Sequence, residues 1–148
     1  MAERDSRSLE WRFARGIKEK RISVLTLSNE KSLIGYIIIM RDDNKKIGLK
    51  RMKIVDIQTL SNIEEDTNNL IANAIAYARK EGIHILELMG FGKNIRELAL
   101  KTNPYTRTLS YSPFFYKIMS DELKNEFSDD IEWDACLFDG DGSLDAID

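Results

Sequence analysis

The chain has 148 residues, 43% hydrophobic and 32% charged, with a formal net charge of −3. That length and balance fit one globular domain with a single core and exclude a chain disordered throughout. A single cysteine, Cys136, and a single histidine, His84, exclude an intrachain disulfide framework and a Cys/His metal cluster, and they point to a reducing, cytoplasmic setting.

The longest apolar run, "LIGYIIIM" at 33–40, is far short of the roughly 20 residues that span a bilayer, and the N-terminus carries no apolar signal core. Charge is uneven. Residues 1–21 hold seven Lys/Arg against four Asp/Glu, while 121–148 hold eleven Asp/Glu against Lys124 alone. An end this acidic argues against wrapping nucleic acid.

In chain order, Ser8 starts a predicted helix over 8–20, with Leu9, Phe13 and Ile17 on one face. The β-branched stretch 21–28 is a predicted strand, "NEKS" a turn, and 33–41 a central strand apolar on both faces. "DDNKK" is a second turn before a third strand over 47–60, so the three make an antiparallel meander. Ser61 and Glu64 fit a capping box, and Leu70, Ile71, Ala74, Ile75 and Ala78 form one helical stripe ended by Gly82. A buried strand over 83–89 follows, its short link placing it against the preceding sheet. A helix over 93–103, stopped by Pro104, is next; 105–119 reads as two extended pieces around Pro113, and 133–139 as a last strand.

The junction "DIQTLSNIEEDTNN" runs from strand to helix, where unpaired N–H groups and the helix dipole favour an anion. It holds no glycine or cation from Leu60 to Asn69, and its helix opens on Glu64, Glu65 and Asp66. Those carboxylates satisfy the dipole themselves and repel a phosphate. His84 and Cys136 read as a structural histidine and a buried inert thiol. Arg41 to Lys53, with Lys45, Lys46, Lys50 and Arg51 between, is a basic hairpin whose charges protect a sheet edge or meet an anion. "DGDGSLD" lacks the glycine and closing glutamate of a calcium loop, so 140–148 reads as a frayed acidic tail and no metal is expected.

The element order, with "LEWRF", "LIGYIIIMR", "MGFGKNIRELALKTN" and "SPFFYK…WDACLFDGDG", resembles the acyl-CoA N-acyltransferase (GNAT-type) family, and in particular domains of bacterial chains linked to envelope polysaccharide or peptidoglycan assembly. The resemblance implies an α+β fold, a mixed and mostly antiparallel sheet with two main helices, in one domain over 1–148. Only about 20 residues precede the meander where the family has a strand and two helices. The chain is therefore expected to be the C-terminal part of a complete domain or of a longer protein, and to self-associate or pair with an upstream domain.

Function follows as an expectation: N-acylation of a small-molecule amine with acetyl-CoA or another acyl-CoA, in polysaccharide or cell-wall precursor synthesis. The resemblance implies a base at Asp56 or Glu87, backbone donors for the oxyanion around residues 57–60, and a thiolate acid at Tyr105, since Lys101 stands where the family's tyrosine lies. It implies coenzyme contacts from Gln58, Thr59, Leu60, Ser61, Thr67, Asn68 and Asn94. The absence of the family's glycine loop at 60–69 carries the alternative, a non-catalytic GNAT-like interaction module.

Overall fold

The structure is a computed structural model, and it describes residues 4–60, 64–108, 120 and 136–139. Helix α1 spans Ser6–Lys18. Its cap is Asp5 and not Ser8: the Asp5 carboxylate accepts from the Ser8 backbone N–H at 2.7 Å, the reach a side chain at the N-cap has to the first turn. Gly16 packs so closely on Ile22 that a Cβ there would lie 2.7 Å from the Ile22 Cδ1, which is how α1 can lie down on the sheet.

The meander is β1 (Ile22–Ser28), β2 (Leu33–Arg41) and β3 (Arg51–Thr59), paired antiparallel in the order expected. The third strand starts later than its sequence pattern, because Lys45–Ile47 closes a 3₁₀ turn and the Asn44–Leu49 bridge uses backbone that the pattern assigned to the strand. Helix α2 spans Glu64–Lys80, and Gly82 at φ 65° ends it as the stripe requires. Its capping box rests on Ser61, which lies outside the described residues. Strand β4, Ile85–Leu88, pairs parallel with β3. It is shorter than predicted and half-buried where full burial was expected, closing the described four-stranded sheet in the order β1-β2-β3-β4. Helix α3, Lys93–Leu100, stops before Pro104 because the residue preceding a proline disfavours helix and the last turn loosens.

Two hydrophobic layers enclose the sheet. One face packs α2 and α3 onto Ile37, Ile39, Met52, Ile54 and Ile57, and the Tyr77 hydroxyl reaches Ser23 at 2.8 Å. The other face buries Ile22, Ile38, Met40 and Val55 under Phe13 and Phe138, whose rings lie 5.8 Å apart. Alternation along β2 serves both layers, as the both-faces-apolar pattern predicts. Phe138 belongs to a 3₁₀ turn, Leu137–Asp139, and this corrects the expected strand for the described part of 133–139: Asp139 folds back to accept from the Cys136 N–H at 3.1 Å, which extended backbone could not do. Residues 109–119 and 133–135, on which the other predicted extended pieces fall, lie outside the described residues. No helix among the described residues is long and apolar enough to cross a membrane.

Candidate active site

Two features of β3 create the site. The parallel ladder with β4 runs only from Arg51↔Ile85 to Ile54↔Leu88. Beyond it the chain after β4 leaves the sheet plane and buries Phe91 in the helical layer, while β3 continues to Thr59, still paired with β2 up to Gly35. Among the described residues no strand lies beside residues 55–59 on that side. In a strand, alternate N–H groups face each neighbour, so among the described residues this edge presents backbone donors beyond the end of the β3–β4 ladder.

The second feature is a bulge. Ile38 pairs with Asp56 but Ile39 with Ile54, so Val55 is the extra residue. Plain alternation would send Asp56 to the same face as Met52 and Ile54. The bulge reverses the parity, leaving Ile57 in the α2 layer and sending Val55 and Asp56 to the α1 face. There Asp56 is wholly buried. Arg4 Nε donates to its two oxygens at 3.2 and 3.0 Å, the Tyr36 hydroxyl donates to Oδ2 at 3.0 Å, and the Gln58 carboxamide donates to Oδ1 at 3.3 Å. The Cys136 thiol approaches Oδ1 at 3.5 Å. Arg4 also reaches Asp139 at 3.2 Å and lies 4.7 Å over the Phe138 ring. A buried carboxylate is tolerated only when paired and hydrogen-bonded in this way. With so many donors committed to it, Asp56 is poorly placed to accept a substrate proton.

The surroundings shift their own protons. Burial first, then the Asp56 charge, pushes the Cys136 thiol up to about 12, so it stays protonated and inert, although half-buried rather than enclosed in a strand. Burial and Asp56 likewise push the Tyr36 hydroxyl above its ordinary range. Glu87 differs from Asp56. It sits across from Lys53 on β4, keeps part of its side chain in solvent, and has an ion pair with Arg51 at 3.6 Å.

The remaining expected residues lie on separate elements. Gln58 and Thr59 end β3, half-buried, and Leu60 is 79% exposed; Ser61 lies outside the described residues. Thr67 is buried and Asn68 half-buried in the first turns of α2, behind Glu64, Glu65 and Asp66. Lys101 forms an ion pair with Glu64, tying the end of α3 to the start of α2. Asn94 is exposed in the first turn of α3. Tyr105 is 93% exposed beyond α3. His84 is exposed too, its Nδ1 accepting from the Lys50 N–H at 3.2 Å. In the basic hairpin Arg41 pairs with Asp43, and Arg51 and Lys53 with Asp42. The hairpin joins the end of β2 to the start of β3, where Arg51 and Lys53 stand beside Glu87, while its turn charges Lys45 and Lys46 lie before β3 begins.

Sequence reasoning expected Asp56 as a base and did not single out Tyr36, Arg4 or Asp139, which surround it in the structure. Tyr36 carried a signal: it bears the only polar side-chain group in "LIGYIIIM", and a tyrosine in a central strand needs a partner for its hydroxyl. Arg4 and Asp139 carried none, being 52 and 83 positions from Asp56.

By sequence the chain matches no protein-family model and no curated protein. Solved structures do match. The ribosomal-protein-alanine N-acetyltransferase of Brucella melitensis biovar Abortus 2308 superposes with a TM-score of 0.58 at 16% identity, over 77% of this chain and 81% of that one. Glucosamine-6-phosphate N-acetyltransferase of Arabidopsis thaliana gives 0.62 at 11% identity, over 78% and 82%. A predicted acetyltransferase of Clostridium acetobutylicum, solved with acetyl-CoA, gives 0.60 at 14%, over 78% and 79%. With its antiparallel meander and parallel fourth strand, the chain has the α+β fold of the GNAT-type acetyltransferases.

Proposed function

We propose that the protein is an acyl-CoA-dependent N-acyltransferase acting on an amine, the acceptor class of polysaccharide and cell-wall precursors. The observation that carries this reading is the end of the β3–β4 ladder at Ile54 and Leu88, which among the described residues leaves backbone N–H groups of 55–59 along an open edge. The residues fit the acyl end of the group: the free β3 edge offers donors to a carbonyl oxygen that gains negative charge, each such donor worth about 3–4 kcal/mol in acyl transfer. They fit its pyrophosphate end less well, since the first turn of α2 is acidic and repels phosphate. When bound, acyl-CoA supplies the activated acyl group. Glu87, part-exposed and held by one long ion pair, is the residue we assign to take up the amine proton, relayed by water because it lies across from Lys53, short of the open stretch of β3; Asp56 is committed to Arg4 and Tyr36.

The acidic turn and its Glu64–Lys101 tie favour the second reading, a GNAT-like module without catalysis. Calorimetric titration with acetyl-CoA and bare coenzyme A separates them. Saturable binding, with release of free thiol in the presence of an amine panel and a kcat lowered about 100-fold in Glu87→Gln, supports the enzyme; no heat at millimolar ligand sinks it.

A further inference from the structure

Asp56 fixes what its neighbours can offer a ligand. The Tyr36 hydroxyl has one hydrogen, and it is given to Asp56 Oδ2; the hydroxyl oxygen therefore faces any further partner as an acceptor. The Gln58 carboxamide turns its nitrogen inward to Oδ1, which leaves its carbonyl oxygen turned away from Asp56. Tyr36 and Gln58 are direct cross-strand partners, with half-buried side chains. Both follow Asp56 onto the α1 face, and Gln58 lies on the stretch of β3 that has parted from β4. A buried carboxylate thus converts two ambivalent side chains into a pair of neighbouring acceptors beside the open edge of β3.

We infer that Tyr36 and Gln58 bind the acceptor substrate by its primary amine, with Asp56 as the positioning residue that turns their acceptor oxygens outward. Two adjacent acceptor oxygens call for two donated hydrogens on one atom, which an amine supplies and a hydroxyl, with one, does not. The inference rests on the acyltransferase reading for its place in a reaction, but amine recognition is measurable without coenzyme.

The test is an NMR titration of the ¹⁵N-labelled protein with glucosamine and, as the probe lacking the amine, glucose. Glucosamine is expected to shift the Gln58 side-chain amide and the Tyr36 backbone amide, and glucose is not. Tyr36→Phe and Gln58→Leu, both on half-buried surface, are each expected to weaken glucosamine binding about tenfold, the loss of one hydrogen bond. Asp56→Asn presents an N–H₂ group to Gln58, so the Gln58 amide flips, and binding weakens by a similar factor although both contact residues remain. Acetyl-CoA is titrated into the same samples. Absent acetyl-CoA binding overturns the acyltransferase reading and leaves the amine titration interpretable. Equal shifts from glucosamine and glucose, or glucosamine affinity unchanged in Tyr36→Phe and Gln58→Leu, overturns this inference whether or not acetyl-CoA binds.

Discussion

Replacing Arg4 with methionine removes a guanidinium that touches both oxygens of Asp56 while keeping most of its apolar length. The Asp56 side chain is 1% exposed and that of Arg4 18%, so the pair is largely desolvated and the carboxylate left behind cannot be rehydrated without opening the α1 face. Breaking a buried pair from one side costs about 3–5 kcal/mol. Tyr36, Gln58 and Cys136 still donate to Asp56, which places the expected cost near the lower end, about 3 kcal/mol, or a fall in Tm of about 9–12 °C for a chain of this size. Because Arg4 also reaches Asp139, the loss is shared between two carboxylates. Thermal unfolding followed by circular dichroism, on Arg4→Met, Asp56→Leu and the double variant, closes a double-mutant cycle. The double variant is expected to recover about 2 kcal/mol relative to the sum of the singles, since replacing both charges by apolar groups removes the unpaired ion. A Tm within about 2 °C of the parent for Arg4→Met, or strict additivity in the cycle, would refute the claim that Arg4 neutralises Asp56.

Three further outcomes are expected. Burial pushes the Asp42 carboxyl up, but the hydrogen bond and charge of Lys53 and the charge of Arg51 outweigh it and hold it below its ordinary 3.8. A depressed carboxyl stabilises the fold above its unfolded pKa and loses that contribution as pH falls through the folded one, so the urea midpoints of the parent and Asp42→Asn should converge below about pH 4 and differ above it; a constant gap across that window contradicts the assignment. Cys136, with its thiol pushed up to about 12, should react with an aromatic disulfide reagent at pH 8 on the order of 10³-fold more slowly in the native protein than after denaturation, and rapid native labelling would show that its burial beside Asp56 is wrong. Neutralising the first turn of α2 (Glu64→Gln with Glu65→Gln) should tighten binding of bare coenzyme A about threefold per charge at low salt and less at high salt, given about 0.3–1 kcal/mol for a charge at a helix end; salt-independent affinity would place the pyrophosphate elsewhere.

Local signals determined much of this protein. The stripe Leu70, Ile71, Ala74 and Ala78 with Gly82 after it specifies α2, because a 3.6-residue period and a left-handed glycine are properties of a short stretch of chain. The apolar run at 33–41 likewise fixes β2 as a strand between two layers, and the acidic start of α2 was readable as an obstacle to phosphate before any fold was known. Asp56, with Glu87 on the neighbouring strand, was legible as one of two candidate carboxylates. What it does there was decided by contacts with no sequence signature: Arg4 from the other end of the chain, Tyr36 across the sheet, and Cys136 and Asp139 folded back in a 3₁₀ turn. The Val55 bulge, which turns Asp56 toward them, arises from the register of β2 against β3. The open edge of β3 comes from the point at which the β3–β4 ladder ends. Register and long-range pairing depend on how the layers pack, and the same residues in a strand one position out of register would present Asp56 to the opposite face.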